Sequence, residues 1–450
     1  MLSKSRVDMI NRPIIPSMIA FVVPLILSGF LQLFFSAADT IVVGRFAGHA
    51  SMAAIGATFS LTNLLVNFFI GLSVGVNVVV AKYFGAGHDR NVEDAVHTAI
   101  ATSLISGVLL AFVGLVFSPV FLGWMGTPDD VIEKASLYMR IIFIGMPFNM
   151  LYNFGAAVLR AYGDTKRPLY YLTVAGAINV FANLFFVIVL KMDVAGVAIA
   201  TVLSQAISSL LVLIALMRSN DSIKVYLSRL RIRLDMMNEI LYIGVPAGLQ
   251  SILFSIANVT IQSSVNSFGS YAIAGNTAAI SLDSFVYITC NSMAQTNLSF
   301  MGQNRGAGKY SRIDRVIWSA AILSSLMGLV MGWGMYFAGD FLFGIYSKES
   351  EVIRYGMMKA SVVLTTYFIF NFEEVMVSAI RGLGNSLLPM VISVVCICGF
   401  RLLWIFTVFQ FFRDFRVLSC CFPLSWALSA VVMTICFLSY RRKFPKTDIE

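Results

Sequence analysis

The sequence predicts an all-α integral membrane protein of twelve transmembrane helices, arranged as two six-helix lobes related by a pseudo-twofold axis. Three observations carry that expectation. Hydrophobic residues fill 58% of the 450 positions and charged residues only 12%, where a soluble domain carries about 25% charged residues. Apolar runs of the roughly 20 residues that a bilayer-spanning helix needs recur along the chain. The two halves also repeat each other at a shift of 221–222 residues.

Lipid leaves no water to satisfy backbone N–H and C=O groups, so spanning segments must be helices or a closed barrel. The apolar runs lack the alternation of barrel strands, which leaves helices. The expected spans are 14–43, 52–81, 94–118, 135–160, 168–190 and 194–217, then 239–266, 272–301, 313–338, 354–381, 387–410 and 417–439. The first run follows Lys4, Arg6 and Arg12 and continues past Phe35 with no small-residue cleavage pattern. It therefore reads as a first helix rather than a removed signal peptide. A polar stretch at 218–238 divides the chain into an N-terminal lobe over 1–217, a linker, and a C-terminal lobe with a short tail over 239–450.

The net charge of +9 follows from topology and does not call for a nucleic-acid partner. Of the Lys and Arg residues in connections, 22 fall in the set that holds both termini and the linker, against 7 in the opposite set. Basic loops stay on the cytoplasmic side, so both termini are expected in the cytoplasm of a multi-pass protein of the plasma or inner membrane.

The repeat is carried by three matched stretches. Val23-Pro24 matches Val245-Pro246, and Gly85-Ala86-Gly87 matches Gly306-Ala307-Gly308. Arg160-Ala161-Tyr162-Gly163-Asp164, with Pro168 beyond, matches Arg381-Gly382-Leu383-Gly384-Asn385, with Pro389 beyond. Six helices per repeat insert both halves the same way up, which implies an axis along the membrane normal and a cavity between the lobes. Pro24 and Pro246 each remove a backbone donor and can seed a bend. They are the expected hinge points for a rocking motion.

An ionised group at the bilayer centre costs about 2.5–3.5 kcal/mol on insertion scales. Asp39, Asp283, Glu373, Glu374 and Arg401 are therefore the informative residues, while Arg140 and Lys359 sit close enough to a helix end to snorkel. Asp39 is the deep acid of the first half. Asn179 and Asn183 share one helix face at spacing i,i+4, and a rise of about 1.5 Å per residue sets them and Thr201 at depths within reach of Asp39. A carboxylate with amide and hydroxyl oxygens suits Na⁺, and a carboxylate can also take up and release a proton. The plainer alternative puts Asp39 in the headgroup zone and lets the asparagines join neighbouring helices.

In the second half, Asp283, Glu373, Glu374 and Arg401 all fall near mid-depth. They can form a buried Arg–carboxylate pair that holds helices together, or present charge to substrates in a cavity. One Arg cannot neutralise three carboxylates, and Glu373 and Glu374 point about 100° apart on a helix. One is expected to pair with Arg401 while the other faces the cavity.

Other signals exclude functions. Gly306-Ala307-Gly308-Lys309 departs from a phosphate loop, with Gln303 where Gly is needed and Tyr310 where Ser or Thr is needed. A helix end or turn accounts for it, so no nucleotide and no ATP-driven pump are expected. His49, His88 and His97 lie in or beside loops and form no catalytic set, which argues against a membrane enzyme. The cysteines (290, 396, 398, 420, 421 and 436) lack the spacing of a zinc site and read as small buried hydrophobes. The plentiful Phe and Met pack or face lipid, and some can line an adaptable cavity for varied apolar ligands.

The helix exit Ala38-Asp39-Thr40-Ile41-Val42-Val43-Gly44-Arg45-Phe46 resembles that of the multidrug and toxic compound extrusion (MATE) family. So do Arg160-Ala161-Tyr162-Gly163-Asp164-Thr165 with Pro168, and their repeat at Arg381 to Asn385. The resemblance spans essentially the whole chain. It implies a secondary antiporter, active without a cofactor, that exports small cationic or amphipathic organic compounds across the bilayer in exchange for H⁺ or Na⁺. A monomer is expected. It also implies that Asp39 is the family's helix 1 carboxylate, and that Asn179 and Thr201 match its helix 5 Asn and helix 6 Thr. Asn183 stands where some members have Asp and others Asn. Phe254 falls where some members carry a helix 7 Glu, and Glu373 or Glu374 approximates the helix 10 acid. A lipid-linked precursor flippase of the same superfamily would be expected to show fourteen helices and a basic cavity. A passive channel would show ordered pore motifs.

Overall fold

The computed structural model describes residues 6–47 and 49–448; Lys4 lies outside them, and so does the side chain of His49. The described residues are helical and contain no strand. Six helices make up the first half. They are α1 (Ile14–Val42), α2 (His49–Gly85), α3 (Asp89–Trp124), the bent α4 (Val131–Ile144 with Met146–Tyr162), α5 (Lys166–Val189) and α6 (Asp193–Met217). The second half holds α7 (Leu234–Asn266), α8 (Ser270–Gly306), α9 (Tyr310–Phe337), α10 (Ser350–Gly382), α11 (Leu387–Phe411) and α12 (Phe415–Arg441).

Ten of these helices are long and apolar enough to cross a membrane, and α4 joins them as a span bent by 45°. The bend falls at Gly145-Met146-Pro147, where the proline lacks an N–H and crowds the preceding turn and a glycine lies beside it. The twelfth, α8, has the length but is less apolar, because its buried face carries Asn276, Asn297, Gln303 and Asn304. Those side chains bond within the protein. Asn297 Nδ2, for example, donates to Ser378 Oγ at 2.9 Å and to the Val375 carbonyl at 3.0 Å.

The repeat motifs mark helix ends. Gly87 (φ 69°) and Gly308 (φ 66°) turn the chain after α2 and α8, and Gly163 (φ 106°) and Gly384 (φ 83°) do so after α4 and α10. Side chains other than glycine rarely adopt this left-handed conformation, so the same turn imposed the same residue in both halves. The stretch at Gly306–Lys309 is thus a turn.

The chain forms two compact units, Met1–Asp8 with Val23–Gly248, and Met9–Val22 with Leu249–Glu450. The divisions fall inside α1, next to Pro24, and inside α7, two residues past Pro246. Both helices run unbroken through their prolines.

In the first unit, the start of α7 packs on α2 with backbone against backbone. A Cβ on Gly71 would overlap the backbone of Gly248, and one on Gly75 would overlap the Ile240 carbonyl. Small residues permit such close approach between membrane helices. The 218–238 stretch is pinned to α3 in the same unit. Arg231 and Arg233 reach Asp94 at 2.6 and 3.1 Å, and the Tyr226 N–H donates to His97 Nε2 at 3.0 Å. His97 is therefore a structural acceptor. In the second unit, Asn304 Nδ2 donates to the Met9 carbonyl at 3.1 Å, and Phe21 meets Phe300 edge-on at 6.0 Å.

Candidate functional site

Asp39 lies near the end of α1, where the helix passes into a wider π-turn at Val43–Ala47. Asn179 and Asn183 sit near the end of α5, which passes into its own π-turn at Phe185–Val189. Such turns concentrate at functional sites because the extra residue re-aims the side chains around it. Val42, Val43, Val187 and Val197 form an apolar cluster there, with Ile55 and Tyr138 packed against it.

Beside this cluster sits the polar group. Asn183 Nδ2 donates to Asp39 Oδ1 and lies 3.4 Å from Asn179 Oδ1. Both asparagines are buried. Asn183 Oδ1 is sealed from solvent and has no hydrogen-bond partner, while Asp39 is half-buried. Among the described residues no Lys or Arg pairs with Asp39. Tyr138, on α4, packs against the apolar cluster beside this group. Sequence reasoning missed it, although Tyr138 shares a helix face with Lys134, which anchors Asp193 at 2.6 Å. The Thr201 hydroxyl donates within its own helix, to the Val197 carbonyl at 3.0 Å, and among the described residues no hydrogen bond joins it to Asp39 or the asparagines.

The second unit corrects two expectations. Arg401 pairs with neither glutamate. Its Nε donates to Ser425 Oγ at 3.1 Å, and its guanidinium lies over the Phe422 ring at 4.5 Å. A π-turn at Val394–Gly399 immediately precedes it, so the face assigned to Arg401 by regular helical spacing is offset. Lys359 does not snorkel. It is buried, because α10 starts at Ser350, about a turn before the expected start at 354. Lys359 Nζ lies 3.6 Å from Asp283 and donates to Asn276 Oδ1 at 3.0 Å; Asn276 in turn donates to Gln262 at 3.0 Å.

Glu373 is buried and accepts from Ser429 Oγ at 2.7 Å and Ser393 Oγ at 3.4 Å. Glu374 is half-buried and faces the field of Arg381, whose guanidinium donates to Gln250 at 2.5 Å. Sequence reasoning missed the serine partners; the signal available was the i,i+4 spacing of Ser425 and Ser429, which sets them on one face of α12. Among the described residues no cluster of three or more His, Cys, Asp or Glu offers a metal site, and the cysteines are all free.

A bundle of long apolar helices with polar side chains buried between them has the make-up of a membrane transporter. The chain belongs to the MatE family, whose sequence model matches it twice, at residues 24–185 and 246–407. The two matches start in register with the internal repeat. A probable multidrug resistance protein of Bacillus subtilis, YoeA, is 31% identical over 85% of this chain and 84% of its own length. A protein of Shewanella oneidensis named FAD transporter is 24% identical over 87% of both. In fold, the chain is similar to a solved outward-facing multidrug resistance MATE family transporter, with a TM-score of 0.90 at 19% identity, covering 98% of this chain and 99% of that one. The protein is thus a multi-pass transporter of small compounds of the multidrug efflux type, and not an enzyme.

Proposed function

We propose that this protein is a secondary antiporter that exports small organic compounds, cationic or amphipathic, in exchange for H⁺ or Na⁺ bound at Asp39. The observation that supports this reading is the Asp39–Asn183 contact: a carboxylate in a spanning helix whose partner is a neutral amide with a buried, unused oxygen. A membrane carboxylate without a cationic side chain is costly to keep, and a coupling ion would balance it.

The asparagine suits either ion. With Asp39 ionised, Asn183 donates its N–H. With Asp39 protonated, rotating the amide would offer Oδ1 to the carboxyl proton. The same rotation would set Oδ1, a carboxylate oxygen and Asn179 Oδ1 as hard oxygen ligands for Na⁺. Pro24 and Pro246 remain the proposed hinge points. Placement in the plasma or inner membrane with both termini cytoplasmic, and action as a monomer, belong to the same proposal.

Counterflow tests the carrier reading. Proteoliposomes preloaded with unlabelled organic cation are expected to accumulate the labelled compound transiently above its equilibrium level. A passive pore would let label rise only to equilibrium, which would reject the antiporter.

A further inference from the structure

Arg401 lies within spanning helix α11 and is only 7% exposed, yet among the described residues no carboxylate hydrogen-bonds it. Its Nε is taken by Ser425, whereas Nη1 and Nη2 bond to no described residue. Lys359 Nζ lies over the same Phe422 ring, at 5.6 Å against 4.5 Å for the guanidinium. Both cations therefore sit against one ring. Among the described residues, Asp283, at 3.6 Å from Lys359, is the one carboxylate in ion-pair contact with either. The field of Glu373 reaches Arg401, but its Oε1 is held by the hydroxyls of Ser429 and Ser393. Among the described residues, Lys359 thus has a carboxylate in contact and Arg401 has none. An ionised side chain inside a membrane span marks a pair, a pathway or a ligand site, and the hydrogen bonding shown leaves this guanidinium without a paired anion.

We propose that Arg401, flanked by Lys359 and Phe422, binds the oxyanion group (a carboxylate, sulfonate or phosphate) of an aromatic organic substrate. The proposal rests on the reading of the chain as a small-molecule exporter. A guanidinium presents two parallel N–H donors to such a group, and Nη1 and Nη2 are the donors left unused here. Half-buried Phe422 supplies an aromatic face beside the guanidinium, and buried rings brace it from behind. Phe422 meets Trp426 at 6.0 Å, and Trp426 meets Tyr367 at 5.4 Å and Phe370 at 5.1 Å. A phospholipid headgroup offers the same phosphate chemistry, so the test separates the two sources.

The probes are a rhodamine with a free carboxylate and its methyl ester. Their export is measured in proteoliposomes of the full chain, made from phosphatidylcholine alone or with added anionic phospholipid. In Arg401→Gln the preference for the acid over the ester is expected to fall roughly tenfold or more in both lipids, the loss of a charge-assisted hydrogen bond. Arg401→Lys, which keeps the charge but loses the fork, should recover part of it. An unchanged preference in Arg401→Gln overturns the proposal. So does equal loss of both dyes together with a lower unfolding temperature, which would make Arg401 a brace. Thermal stabilisation by anionic lipid that Arg401→Gln abolishes, with the dye preference intact, would assign the site to a headgroup instead. If the unsubstituted protein moves neither dye, the exporter reading fails for these compounds. Fluorescence anisotropy of the acid with the purified protein then decides the site, and binding insensitive to Arg401→Gln overturns it.

Discussion

Asp39→Asn is expected to reduce ion-driven export to the rate of empty liposomes while leaving the protein folded and inserted. The substitution conserves volume, so the apolar cluster of Val42, Val43, Val187 and Val197 keeps its packing. Asn183 Nδ2 still finds an oxygen acceptor in the new amide. What disappears is the negative charge that would hold Na⁺ and the group that would carry a proton. Export driven by imposed Na⁺ and H⁺ gradients, measured separately, checks this against the unfolding temperature of the purified variant. Export at the original rate with unchanged ion dependence would remove Asp39 from the mechanism. Asn183→Leu provides an independent probe, because it deletes the amide that serves the carboxylate and should weaken coupling even though Asp39 remains.

Lys359→Met is expected to give the largest loss of stability. The substitution leaves Asp283 inside the membrane span without its cation, and removing one partner of a buried pair costs about 3–5 kcal/mol. It also releases Asn276 Oδ1 from its donor, which breaks the chain that runs on to Gln262. Adding Asp283→Asn to Lys359→Met should recover much of the loss, since the uncompensated charge is then gone. Thermal unfolding in detergent measures both. An unfolding temperature unchanged by Lys359→Met would show that the 3.6 Å contact carries little energy; failure of the double variant to recover would place the loss elsewhere.

Most of the fold was legible because membrane physics leaves few options. Long apolar runs, basic residues in alternate connections and glycines at matched positions each have one economical explanation, and all agree. The family matches at 24–185 and 246–407 start where the repeat does. The site was legible in part. Asn179 and Asn183 at i,i+4, and the depth of Asp39, placed three side chains that the structure brings together. Thr201 was placed by depth and by the family resemblance, neither of which says that its hydroxyl bonds the Val197 carbonyl. Arg401 and Lys359 were misjudged for a different reason. Composition shows no sign of a π-turn at Val394–Gly399 or of an extra turn at the start of α10, and either shift moves a side chain to a new face. Tyr138 escaped notice because a tyrosine in a spanning helix has an ordinary explanation at the membrane interface.

The central claim is that substrate and ion exchange for one another through Asp39. Coupling of this kind is reciprocal, so a substrate gradient must be able to move the ion. In sealed proteoliposomes with no imposed ion gradient, an organic cation added outside is predicted to drive H⁺ or Na⁺ out of the lumen. Lumenal pH-sensitive and Na⁺-sensitive dyes read this directly, and the signal should be absent in Asp39→Asn. Entry of the organic cation with no movement of either ion would contradict the account.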